Sequence, residues 1–201
     1  MKLNYDSLIN KAVNCFMKEN IASVDEAEIY RFGIEVTLLK TWHFVSYFGI
    51  AVCMRKISEF IIIFGIFCAF RRNTGGFHAK TRMGCYLFSC LMVMASLVVT
   101  EGEINLAYMC VLSICELVIL GFISPVKNEN RPMDEEEIFH FRKRLYIISA
   151  IFAAVFIITA NLGYFYLVYL YTIGLTLTTV LTVFGKMQEG GILGEKQEKK
   201  L

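Results

Sequence analysis

Three features of this sequence predict an all-α, polytopic membrane protein with six transmembrane helices and an interfacial, amphipathic N-terminal helix. First, 56% of its 201 residues are hydrophobic and the mean hydropathy is +0.55, more apolar than a soluble domain sustains. Second, the apolar residues form long blocks, most of them near the ~20 residues that a helix needs to cross hydrocarbon. Third, Lys and Arg collect in alternate connecting segments, as they do in proteins oriented by the positive-inside rule. There is no internal repeat and no long linker, so residues 1–201 read as one membrane-embedded domain.

Within residues 1–31, Leu8, Ile9, Ala12, Val13 and Phe16 recur at helical spacing, which predicts an amphipathic helix over 3–20 lying in the interface. The opening Met1–Asp6 has no apolar core of its own, so no cleaved signal peptide is expected. Residues 20–31 are polar and acidic, a connector. The first span is Gly33–Met54, closed by Arg55-Lys56; it carries Glu35, Lys40 and His43, which need partners or a polar cavity in hydrocarbon. The second, Ile57–Phe70, is short: its apolar run covers about 21 Å of a ~30 Å core. Four clearer spans follow, Gly84–Val99, Ile104–Ile123, Leu145–Asn161 and Tyr164–Phe184. In the long segment 124–144, Pro125 and Pro132 stop one helix and Asp134–Glu137 start the next, with acidic groups at the positive end of its dipole. Residues 185–201 read as a loosely ordered tail.

Orientation follows from the cations. The N-terminal arm has four Lys and Arg, the segment 71–82 four, the segment 124–144 five and the tail four, against Arg55 and Lys56 on the other side. Both termini and the two long polar segments are therefore expected in the cytoplasm. The seven cysteines show no C-x-x-C pair and no zinc spacing with histidine. No cofactor, metal or nucleic-acid partner is expected.

The segment 71–85 is where chemistry is expected. It reads Arg71-Arg72-Asn73-Thr74-Gly75-Gly76-Phe77-His78-Ala79-Lys80-Thr81-Arg82-Met83-Gly84-Cys85. A thiol, an imidazole and four cations lie together in it. A cysteine becomes nucleophilic when positive charge favours its thiolate and a base can take its proton. On one straight helix His78 and Cys85 would sit about 10 Å apart along the axis, beyond the ~3 Å of a proton transfer. If the pair acts together, the chain must bend between them, and Gly75, Gly76 and Gly84 are the expected hinges. Cys85 is expected in the first turn of the third span, at the positive end of that helix. The bland alternative makes Cys85 a packing residue and the cations markers of topology.

Arg-Arg-x-x-Gly-Gly-x-His-Ala followed by Cys85 resembles the signature of the accessory gene regulator B (AgrB) family, membrane-embedded cysteine peptidases that process precursors of cyclic quorum-sensing peptides. Two further stretches are similar to family motifs: Gly33-Ile34-Glu35, and the proline-bracketed segment from Ser124-Pro125-Val126 to Arg131-Pro132. The resemblance implies His78 as general base and Cys85 as nucleophile. It also implies a precursor peptide with an acidic C-terminal part as substrate, a thioester on Cys85, release of a thiolactone or lactone, and a homodimer.

Around this core, Arg71, Arg72, Lys80 and Arg82 are expected to grip an acidic peptide. Glu35 either orients His78 or pairs with Lys40 or a loop arginine to hold helices together. Glu116, an intramembrane acid, is expected to be a buried partner of Lys40. A different class, a small transporter or channel, would use Glu35, Lys40 and Glu116 as its pathway and treat Cys85 as filler.

Overall fold

The computed structural model describes residue 11 and residues 26–77, 79, 81–102, 105–127 and 133–190. The expected interfacial helix at 3–20, the histidine of the motif (His78), Lys80, Arg131-Pro132 and the end of the tail lie outside the described residues, Lys11 excepted. Among the described residues there are six helices and no strand: α1 (Ala27–Cys53), α2 (Ile57–Thr74), α3 (Arg82–Val99), α4 (Leu106–Ile123), α5 (Glu135–Asn161) and α6 (Phe165–Glu189). Five of these are long and apolar enough to cross a membrane; α2 carries Glu59, Arg71 and Arg72 within its eighteen residues. The protein is a multi-pass membrane protein.

Several helices outrun their apolar blocks. The segment 20–31 is no connector throughout, because α1 begins at Ala27 with Glu28 in its first turn. Arg71–Thr74 is the last turn of α2 rather than loop, with both arginines at the negative end of the helix dipole. The start of α3 is Arg82, two residues before the expected Gly84. Residues 185–189 continue α6 and do not open the tail. The physical reason is common to all four. Apolar residues stop where hydrocarbon stops, but i→i−4 bonds and capping groups carry a helix on into the headgroup layer.

The caps can be named. Thr81, in extended conformation, accepts from the Gly84 amide at 3.0 Å and starts α3. Asn105 does the same for Tyr108 at the head of α4 (3.1 Å), and Asp134 for Glu137 at the head of α5 (2.8 Å).

The chain divides into two compact units between Gly49 and Ile50. In the first, Thr37, Thr41 and Ser46 donate to the carbonyls four residues back, so their hydroxyls travel through the apolar layer already bonded. Exposed Phe32, Trp42, Phe44 and Val45 give this stretch an apolar surface suited to lipid.

In the second unit α6 is the centre, and α2, α3, α4 and α5 pack around it. Most of its residues from Val168 to Gly185 are buried, including four threonines. A threonine inside a membrane bundle is tolerable when its hydroxyl bonds its own helix. Thr172, Thr178, Thr179 and Thr182 each donate to the carbonyl four residues earlier, at 2.8–3.0 Å. Small residues bring backbones close. A Cβ on Gly174 would stand 2.9 Å from the Ile63 carbonyl, so α2 crosses α6 here with no room for a side chain. Phe70 and Phe152 lock α2 to α5 edge to face, with centroids 5.5 Å apart.

Candidate functional site

The site is built where α2 ends, α3 begins and α6 passes beneath both. Arg71, half-buried in the last turn of α2, turns back over the chain that follows it. Its guanidinium donates to the Gly75 carbonyl and, at 3.0 Å, to the Phe77 carbonyl. Each carbonyl takes a different terminal nitrogen of the planar fork, a two-point contact that a single ammonium nitrogen does not reproduce. The Phe77 amide donates to the Leu181 carbonyl of α6 at 2.8 Å, and the Val126 amide donates to the Thr74 carbonyl at 2.9 Å. Residues 75–77 thus form a strap held from three sides by main chain and one arginine.

Glycine is required twice in that strap. Gly75 and Gly76 have φ of 68° and 145°, values that other residues rarely adopt. A Cβ on Gly76 would lie 2.8 Å from the Leu181 carbonyl, and one on Gly75 2.8 Å from that of Val126. Across the contact, Gly185 of α6 is bare for the same reason, since a Cβ there would be 2.6 Å from the Phe77 amide nitrogen. The Phe77 ring then packs edge-on against Phe88 of α3 and Phe184 of α6, with centroids 5.3 and 6.5 Å away. Buried Thr74 and Thr182 are 3.2 Å apart through their hydroxyls. Gly75 and Gly76, expected as hinges, take positive-φ conformations and also allow close approach within an anchored strap. Gly84 is no hinge. It is the third residue of α3, and its amide takes the Thr81 cap.

Cys85 follows directly. Its amide donates to the Thr81 carbonyl at 3.0 Å, which places it in the opening turn of α3, and it is partly exposed. The Cys85 sulfur is near enough to Arg71 for a thiolate to act on the guanidinium electrostatically. The six described cysteines, Cys85 included, are free thiols. His78 leaves the strap one residue after Phe77 and lies outside the described residues, so its distance to Cys85 is not part of this geometry.

The cations part company. Arg71 is spent on the strap carbonyls rather than held out for a ligand. Exposed Arg72, its neighbour, lines a groove between α2 and α5 together with Arg144. Arg82 is exposed in the first turn of α3.

Glu35 and Lys40 belong to the first unit, with Lys40 exposed and Glu35 half-buried. Glu116, only 4% exposed, accepts from the Thr176 hydroxyl at 2.6 Å. One turn away Ser113 meets Thr172 at 3.1 Å. Together these contacts form a polar seam between α4 and α6 within the second unit. A hydroxyl on a neighbouring helix satisfies a carboxyl oxygen without a second buried charge. Among the described residues, no group of three His, Cys, Asp or Glu gathers as a metal ion would need.

Sequence reasoning missed Leu181, Gly185, Phe88 and Val126 as parts of this site. Gly185 after a long apolar run was the one available signal, and it reads equally well as a helix end.

A family model described as Accessory gene regulator B matches residues 9–184. No curated protein and no solved structure matches the chain.

Proposed function

The chain belongs to the accessory gene regulator B family, whose members are membrane proteins of quorum-sensing autoinducer maturation that act on a peptide precursor, and from that premise we propose that it is a cysteine endopeptidase. The observation that carries the proposal is Cys85, partly exposed in the opening turn of α3 within electrostatic reach of Arg71.

The mechanism runs as follows. His78 takes the Cys85 proton, and the thiolate attacks a backbone carbonyl of the precursor. The tetrahedral intermediate collapses, the C–N bond breaks, and the acidic C-terminal part leaves as an amine after accepting the proton from His78. The remainder stays on Cys85 as a thioester. A thiol or hydroxyl inside the precursor then gives its proton to His78 and attacks that thioester; the C–S bond to Cys85 breaks, a thiolactone or lactone closes, and the Cys85 thiolate is restored beside protonated His78. Thioester exchange changes the bond energy little, so hydrolysis is the competitor, and a site at membrane level limits the water that reaches the acyl group. In this reading Arg82 and Lys80 meet the acidic part of the substrate. The seventeen cytosol-facing cations counted above support a site and both termini on the cytoplasmic side, and the homodimer of the family belongs to the same proposal.

The test is cleavage of a co-expressed precursor, with membrane insertion checked in parallel. Cys85→Ala should leave no product, and His78→Ala should slow cleavage by about 10²–10⁴-fold, the usual worth of a general base. Mass spectrometry of purified protein should find the precursor's N-terminal part bonded to Cys85. Cleavage that survives Cys85→Ala ends the proposal.

A further inference from the structure

The groove between α2 and α5 has a volume of about 650 Å³ and a sharp polarity gradient. Arg72 and Arg144 stand at one end of it. Gly65 and Cys68 on α2, with Ile147 and Ile148 on α5, form its wall. Seven helical residues separate Arg72 from Gly65, about 10 Å of depth towards the middle of the membrane. On α5, Ile147 and Ile148 lie one turn beyond Arg144 into the apolar run. No carboxylate lines the groove among the described residues, so two guanidiniums face one space without a counter-charge.

We propose that this groove is a binding site for an anionic glycerophospholipid, its phosphate between Arg72 and Arg144 and an acyl chain along Gly65, Cys68 and the two isoleucines. Arginine forks pair well with phosphate oxygens, and basic pockets between transmembrane helices take anionic headgroups. The apolar depth decides between occupants. An acidic peptide would satisfy the two arginines and Asn73 beside Arg72 in the chain, but the wall of Gly65, Cys68, Ala69 and the two isoleucines offers it only a weak thiol donor, whereas a lipid matches both halves. Gly65 supplies room for the chain, since a Cβ there meets nothing within 4 Å. Arg72 is also next to Arg71, so the bound headgroup sits beside the arginine that clamps the strap.

Binding can be read without any activity, so this inference stands or falls separately from the peptidase reading. Full-length protein is purified in detergent and offered dioleoyl phosphatidylglycerol or dioleoyl phosphatidylcholine, and retained lipid is counted by native mass spectrometry. Phosphatidylglycerol should be retained about tenfold better, in line with two cations near the headgroup. The double variant Arg72→Gln/Arg144→Gln should lose that preference. A second variant, Gly65→Leu, fills the wall without touching either charge and should lower retention at least several-fold; it serves if the double variant does not fold by circular dichroism. Equal retention of the two lipids, or normal retention by Gly65→Leu, overturns the site. Glycerol 3-phosphate competing as well as the lipid would make it a free-phosphate site, and displacement by polyglutamate would make it a peptide groove; either result also overturns the proposal.

Discussion

At the end of the bundle away from Cys85, side chains tie the helices together. Lys56 reaches across to the Leu97 carbonyl (2.8 Å), the Thr100 hydroxyl (3.0 Å) and the Glu101 carboxylate (2.9 Å). Tyr166 donates to Glu59 at 3.1 Å, and Tyr169 to the Val99 carbonyl. At the Cys85 end the corresponding ties are main chain to main chain, Phe77 to Leu181 and Val126 to Thr74, with glycine on both sides of the closest approach. Side chains add to these ties, Arg71 on the strap carbonyls and Thr182 against Thr74. The difference teaches where precision is wanted. A long side chain can re-aim when one partner is lost, but a backbone contact holds its neighbours to a fraction of an ångström or is lost altogether.

The comparison is broken most severely at Gly76. Gly76→Ala forces a left-handed backbone on a residue that resists it and drives a methyl towards the Leu181 carbonyl. Strain of about 1–3 kcal/mol with overpacking of about 1–3 kcal/mol should release the strap. Precursor cleavage should fall at least a hundredfold while far-UV circular dichroism stays helical; near-normal cleavage would mean that the strap does not hold the site. Arg71→Lys comes next. Hydrogen bonds from a charged donor are worth about 1.5–3 kcal/mol each, and one ammonium nitrogen in place of two guanidinium nitrogens loses the fork's two-point geometry. Cleavage should drop tenfold or more in initial-rate assays, with Lys no better than Gln. Full rescue by Lys would reduce Arg71 to a charge.

Lys56→Met, at the opposite end, removes three contacts at once. Lys56 is 13% exposed and its Glu101 partner 77%, so the ion pair adds little and the buried carbonyl contact dominates. The thermal midpoint should fall by a few degrees, consistent with about 1–2 kcal/mol, while cleavage per folded molecule holds. Loss of activity beyond the loss of folded protein would erase the distinction between the two ends. The smallest effect is expected from Glu116→Gln in the mid-membrane seam. The amide oxygen can still accept from Thr176, so cleavage should change less than twofold. A collapse of function here with cleavage intact in Cys85→Ala would favour the transporter reading.

Much of the architecture was legible in the residue pattern. The apolar blocks located all six helices, and the glycine-hinged basic segment with its cysteine singled out the site region. Helix ends were less legible, as Arg71–Thr74 and Gly185–Glu189 illustrate, because hydropathy reports the hydrocarbon layer and not the last hydrogen-bonded turn. Partners were not legible at all. Glu116 suggested a lysine because both are charged, yet Thr176 faces it across the α4–α6 seam.

By itself the sequence determined the membrane class, the positions of the six helices among the described residues and the segment that bears the thiol, since hydrophobic transfer and helical hydrogen bonding act within short stretches of chain. Only the tertiary structure decided that Arg71 clamps a strap while Arg72 lines a groove, and that Gly185 must be bare because Gly76 and Phe77 lie against it. Those choices depend on how closely helices distant in the chain approach one another, and no local pattern of residues encodes that distance.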